Sequence, residues 1–213
     1  MEEDAQARAY AEADFEEPHS HFIDLFTEAF PVEQIGGHVL DLGCGTADIT
    51  IRFARAWRSS TVHGVDGSRA MLRYGLKILS TANDVQDRIE LIQGALPGVT
   101  LPRARYDTII SNSLLHHLRD SQVLWASIRQ HTVPGAPVFV MDLKRPASTE
   151  VAGALVEQYA GREPEILKRD FYNSLLAAFE VDEVKEQLKE AGLAGFLVRE
   201  VSDRHLIVSG KAP

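Results

Sequence analysis

An aspartate two residues ahead of a paired glycine turn, with a second strand-ending acid about twenty residues further on, is the pattern here that can do chemistry. The stretch Val39-Leu40-Asp41-Leu42-Gly43-Cys44-Gly45-Thr46 reads as a short buried strand running into a turn that opens a helix. Without Cβ, Gly43 and Gly45 let the backbone turn sharply and a ligand approach closely. Unpaired amides at the start of the next helix favour negative charge. Asp41 is placed to meet a cation lying over the strand end. The second strand, Thr61-Val62-His63-Gly64-Val65-Asp66, ends in a carboxylate suited to ribose hydroxyls. A ligand with a carboxylate, a ribose and a positive charge suits this corner.

S-adenosylmethionine carries all three. The rival ligand is a dinucleotide, whose fingerprint needs a third glycine where this chain has Asp48, and whose pyrophosphate would sit badly beside Asp41. The donor-binding residues read from the pattern are therefore Asp41, Gly43 and Gly45 around the methionine part, Asp66 for the ribose, and Gly67 and Ser68 on the adenine side. Ser68 is also placed to cap the next helix, and capping is the other reading of Asp66. Cys44 reads as a small packing residue.

Further along, Tyr106 to Leu118 contains Ser111-Asn112-Ser113-Leu114-Leu115-His116-His117-Leu118. Asn112 offers donor and acceptor together and is expected to line the donor site. His116 and His117 are candidate bases near neutral pH; adjacent side chains point apart in regular structure, so at most one is expected to reach the pocket. No third ligand stands at useful spacing, so no metal is expected. Asp142 and Tyr10 are the remaining candidates for catalytic work. Residues expected to flank the mouth are Phe15, His19, His21, Lys144, Arg145, Phe171, Tyr172, Asn173, Asp203, Arg204 and His205. Of these Lys144 and Arg145 are the cations that would recognise an anionic substrate.

Val39–Thr46, Val62–Leu72 and Tyr106–Leu118 resemble motif I, the following acidic loop and motif IV of class I S-adenosylmethionine-dependent methyltransferases. The small-molecule branch, which includes the ubiquinone and menaquinone methyltransferases, is the most similar. The resemblance spans residues 36–145. It implies methyl transfer from S-adenosylmethionine, leaving S-adenosylhomocysteine, to a small-molecule acceptor. It also implies an adenine contact after the third strand, where the family often places an acid. This chain has Gln93-Gly94-Ala95-Leu96 there, so the backbone of Ala95 and Leu96, or Gln93, is expected to substitute. Transfer from a sulfonium is an in-line displacement that needs mainly positioning, plus a base only where the acceptor must lose a proton.

Strands and helices alternate so as to position these residues. Strands are expected at 39–42, 61–65, 89–92, 106–111 and 136–142, and helices at 46–57, 68–80 and 120–131. The alternation implies right-handed crossovers and a doubly wound, Rossmann-like α/β sheet, mostly parallel. Ligands then bind beyond the carboxyl ends of the strands. Residues 1–17 are helical or frayed, Pro18 interrupts, and 19–30 form an amphipathic helix before a turn at 31–37. A helix at 181–191 stops at Gly192. Strands at 196–201 and 205–209 close the chain as a hairpin; the resemblance implies seven strands with the last antiparallel. The whole, 1–213, reads as one domain: a helical cap at 1–35, a donor-binding core at 36–145, a helical insertion at 146–179, and the final helix and hairpin at 180–213. The insertion with the N-terminal helix reads as a lid over the donor; the other reading is that it packs on the sheet edge.

Composition sets the outer bounds. The chain has 213 residues, 45 % hydrophobic and 25 % charged, with a formal net charge of −9. That balance argues against nucleic acid, whose recognition needs basic patches. Lys144, Arg145, Arg162 and Arg204 are where a patch for tRNA or protein would form. A non-catalytic donor-binding protein is the third reading. The single cysteine excludes an intramolecular disulfide. No apolar run is long enough for a membrane span, and the acidic start differs from a signal or transit peptide. A cytoplasmic protein is expected, with a homodimer left open.

Overall fold

Apolar residues occupy both alternating sets along the central strands, which is what a sheet covered on both faces demands. The computed structural model describes residues 4–31 and 35–213. Met1 to Glu3 of the expected cap, and part of the expected 31–37 turn, lie outside the described residues. Seven strands, β1 (Gly37–Leu42), β2 (Ser60–Asp66), β3 (Ile89–Gln93), β4 (Thr108–Asn112), β5 (Pro137–Leu143), β6 (Leu197–Glu200) and β7 (His205–Lys211), form one sheet in the order β3-β2-β1-β4-β5-β7-β6. β1 to β5 are mutually parallel, and β7 runs antiparallel to both β5 and β6. The chain winds outward from β1 to β3 and then returns to β4. The topological switch point therefore lies between β1 and β4, where Leu42 pairs with Ser111.

Helices are α1 (Asp4–Glu12), α2 (Glu16–Ala29), α3 (Asp48–Ala56), α4 (Arg69–Leu79), α5 (Gln122–His131), α6 (Thr149–Ala160), α7 (Glu165–Ala177) and α8 (Val181–Glu190). One sheet face buries Leu40, Ile109, Val138, Val140 and Val208 with Trp125 of α5 and Leu188 of α8. The other buries Val39, Ile110, Phe139 and Ile207 with Phe22 and Phe26 of α2 and Phe53 of α3. Neighbouring residues of β4 and β5 thus serve opposite cores, as the two-residue period of a strand requires. Among the described residues no helix is long and apolar enough to cross a membrane.

Three local differences from the sequence reading have physical reasons. α2 begins at Glu16 and takes Pro18 into its first turn, where a missing N–H costs nothing because those amides lack helical partners anyway. The insertion resolves into α6 and α7, which share a small core of their own (Leu155, Val156, Leu175) seated on Leu143 at the end of β5. A 3-10 turn at Leu115–His117, absent from the sequence reading, follows a left-handed Ser113. Ahead of α8, Glu180 and Glu183 form a reciprocal capping box, and Gly192 at φ +72° ends the segment as expected.

α1 lies across α4 and α7. Ala7 is fully buried, Asp4 meets Arg73 and Tyr74 of α4, and Gln6 Nε2 donates to Asp170 Oδ2 of α7 at 2.5 Å.

Candidate functional site

The glycine turn hangs from the neighbouring strand. The amides of Gly43 and Cys44 both donate to the Val65 carbonyl, at 2.8 and 3.0 Å. Gly43, Gly45 and Ala47 all have positive φ, so the chain reverses within five residues before α3 begins at Asp48. Gly43 is obligatory on two counts: its φ is +79°, and a Cβ there would stand 2.8 Å from Cβ of Leu114. The backbone of motif I is thereby held against the turn that follows β4.

Asp66 ties the two loops together. Its Oδ2 accepts from the Gly45 amide at 2.9 Å and its Oδ1 from the Ser68 amide at 2.7 Å. Ser68 in turn caps α4 by accepting from the Met71 amide. Each carboxylate oxygen keeps a further lone pair for a ligand hydroxyl. Asp41 is 1 % exposed and accepts from the Thr50 hydroxyl at 2.6 Å. Burial raises its carboxyl to about 7 against that hydrogen bond, with the Asp66 charge adding to the rise. A cation placed beside it would relieve this cost.

Tyr10, His19, Asp41, Gly43, Cys44, Gly45, Thr46, Asp48, Ile49 and Asn112 line one cavity of about 30 Å³. Five expected site residues (Tyr10, Asp41, Gly43, Gly45 and Asn112) thus meet from four separate elements. Asp66 does not line it and reaches it only through its bond to the Gly45 amide; nor do Gly67, Ser68, Ala95 and Leu96 line it. Gly67 instead faces Ala95, and the Gly94 amide bonds the Asp66 carbonyl, so these four residues belong to an adjoining ledge. Sequence reasoning missed Thr46, Asp48, Ile49 and Thr50 as site residues, although their place on the first turn after the glycines was the available signal. Burial pushes the Cys44 thiol well up, which suits packing rather than nucleophilic attack.

An aromatic wall covers the cavity. Tyr10 packs on Phe15 at 4.5 Å between ring centres, and Phe15 stacks on His19 at 5.2 Å. Burial, with Asp48 and Asp66 nearby, pushes the Tyr10 phenol up to about 12. Tyr10 therefore stays protonated at neutral pH and is a hydrogen-bonding group there, not a base. The volume under this wall is about that of a single water. The groups fit a sulfonium nucleoside chemically, and Tyr10 is the one residue that α1 contributes to the lining.

Next to the switch point, His116 and Asp142 form a buried pair. His116 Nδ1 lies 2.5 Å from Asp142 Oδ1, and both side chains are 2 % exposed. The amides of Leu115 and Leu143 donate to Asp142 at 2.7 Å each, so the carboxylate is locked in place. His116 Nε2 is buried without a hydrogen-bond partner among the described residues. The adjacent His117 is exposed. The expectation that neighbouring histidines point apart fails here, because in the 3-10 turn the two rings lie 4.0 Å apart. Which of the two is engaged was a tertiary outcome.

The cations expected at the mouth are committed elsewhere. Lys144 pairs with Glu200 at 2.7 Å, and Arg145 with Glu183 at 2.7 Å and Glu180 at 3.2 Å. Arg204 pairs with Asp203 and lies over the Tyr159 ring. Among the described residues no group of three or more His, Cys, Asp or Glu side chains is arranged to hold a metal ion.

Residues 39–135, which carry the glycine turn, Asp66 and Asn112, match the family described as "Methyltransferase domain". A trans-aconitate 2-methyltransferase of Deinococcus radiodurans is 32 % identical over 53 % of this chain and 40 % of its own length. A ubiquinone/menaquinone biosynthesis C-methyltransferase of Syntrophotalea carbinolica is 28 % identical over 55 % of this chain and 48 % of its own. The chain therefore spans less than half the length of these curated relatives. A solved methyltransferase of Aquifex aeolicus superposes with a TM-score of 0.63 over 92 % of this chain and 98 % of its own, at 16 % identity. Residues 39–135 are thus similar to a methyltransferase domain, and the chain shares its fold with solved S-adenosylmethionine-dependent methyltransferases.

Proposed function

We propose that this domain transfers a methyl group from S-adenosylmethionine to a small-molecule acceptor that gives up a proton. The observation carrying the donor half is the joint placement of Asp41 and Asp66 around the Gly43–Gly45 turn, with Asp66 already bonded to the Gly45 amide. Asp41 supplies a buried negative charge for the cationic donor, Asp66 accepts from the ribose, and the ledge at Gly67, Ser68, Ala95 and Leu96 receives the adenine. When bound, the donor supplies an electrophilic methyl carbon.

His116 takes the acceptor's proton at Nε2. Asp142 accepts from its Nδ1–H and so sets the tautomer that leaves Nε2 as the basic atom. Proton removal makes the acceptor a better nucleophile, and a site closed by α1 and α7 keeps water away from it. A small, uncharged acceptor is favoured because Lys144, Arg145 and Arg204 are each paired with a carboxylate. The same pairing gives little support to tRNA or an acidic protein surface as substrate.

Titration calorimetry with S-adenosylhomocysteine tests the donor half. Binding is expected for the wild type, weakened by about 1–3 kcal/mol in Asp66→Ala as a charge-assisted hydrogen bond is lost; no heat from the wild type at millimolar ligand sinks the reading. With an acceptor that turns over, His116→Gln should lower kcat about 100-fold or more while donor affinity stays unchanged. An undiminished kcat would remove His116 from the chemistry.

A further inference from the structure

The cavity poses a charge problem that its other residues do not solve. It is lined by two carboxylates, Asp41 and Asp48, with Asp66 behind the Gly45 amide, while the donor proposed above has a carboxylate of its own. Asp48 opens α3, at the amides where that carboxylate would sit. Left alone, it would repel the ligand. It is not alone: Oδ2 of Asp48 accepts from His19 Nδ1 at 2.6 Å and from Arg52 Nε at 2.7 Å. Arg52 is held in turn by both carboxylate oxygens of Glu16 and by the Ser20 hydroxyl. Burial works to raise the Asp48 carboxyl, but the bonds from His19 and Arg52 outweigh it and hold it below the usual carboxylate range.

His19 is 6 % exposed, lines the cavity and is stacked on Phe15. With Nδ1 spent on Asp48, its remaining polar atom, Nε2, has no hydrogen bond among the described residues. That atom is not sealed in the core, and the ring that carries it lines the cavity, where a ligand can reach it.

The geometry points to His19 as the residue that binds the donor's carboxylate, through Nε2–H, with Asp48, Arg52 and Glu16 as the chain that orients the ring and balances its charge. This inference rests on the donor reading above and deepens it. One ring nitrogen serves Asp48 and the other the ligand, so the side chain stands between two carboxylates that would otherwise face each other. Histidine is needed because its two nitrogens point in different directions on one rigid ring.

The probes are S-adenosylhomocysteine and its decarboxylated form, S-adenosyl-3-thiopropylamine, which keeps the nucleoside and the amine. Calorimetry on the wild type is expected to favour S-adenosylhomocysteine. His19→Gln should lose about 10–100-fold for S-adenosylhomocysteine, the range of a hydrogen bond to a charged group, and less than about twofold for the decarboxylated probe. Asp48→Asn, which unpins the ring, should shift affinities in the same selective way by a smaller factor. Equal losses for both probes in both variants would overturn the inference and leave His19 as a tie between α2 and α3. A wild type that binds neither probe overturns the donor reading itself, an outcome distinct from unselective loss.

Discussion

Two glycines show how much a single residue's setting decides. Gly43 combines φ +79° with a Cβ position 2.8 Å from Leu114 Cβ, whereas Gly153 sits inside α6 at ordinary φ with nothing within 4 Å. The same substitution should therefore act with opposite signs. Gly43→Ala is expected to cost about 2–4 kcal/mol, from left-handed strain and overpacking together. Gly153→Ala should gain about 0.5–1 kcal/mol from reduced backbone entropy. Urea unfolding midpoints measure both, and a neutral Gly43→Ala would show that the motif turn has room to relax. The role of Asp142 is likewise a matter of setting: on sequence it was one acid at a strand end, and in the fold two backbone amides and a histidine surround it.

At the scale of elements, α1 is the part most open to test. It contributes Tyr10 to the cavity lining, but its hold depends on Asp4 with Arg73 and Tyr74, and on Gln6 with Asp170. The Asp4–Arg73 pair is exposed, so it contributes little by itself. Arg73→Ala combined with Asp170→Ala should leave global stability nearly unchanged while amide exchange within α1 speeds up, since lids come from the low-stability end of a fold. Association of S-adenosylhomocysteine, followed by stopped-flow fluorescence, should become faster. An unchanged association rate with accelerated exchange would mean that α1 packs on the core without gating the cavity.

For the whole molecule, buried charge shapes the response to pH. The folded Asp41 carboxyl stands near 7, above its unfolded value, so between about pH 4 and 7 the folded state binds more protons there than the unfolded chain. Asp41 therefore erodes stability as pH rises through that window. Burial also lowers His205 to about 4 and lowers His63, and these rings act in the opposite sense, adding stability as pH rises over the same range. The wild-type profile should be flat where the two compete. Asp41→Asn removes one side: its stability relative to wild type should climb from pH 4 to 7, by about 4 kcal/mol at most, as read from urea unfolding at each pH. A constant difference would contradict the buried-acid account. Periodicity and turn chemistry alone determined the doubly wound sheet, the strand-end placement of Asp41 and Asp66, and the Ser68 cap, because each depends on residues close in the chain. Nothing local distinguished His116 from His117, paired Lys144 and Arg145 with glutamates, or brought His19 and Tyr10 over a glycine turn more than twenty residues away. Those outcomes belong to the packing of α1, α2, α8 and β6 against the rest of the fold, where contacts between distant segments choose which polar groups are buried and which partners they find.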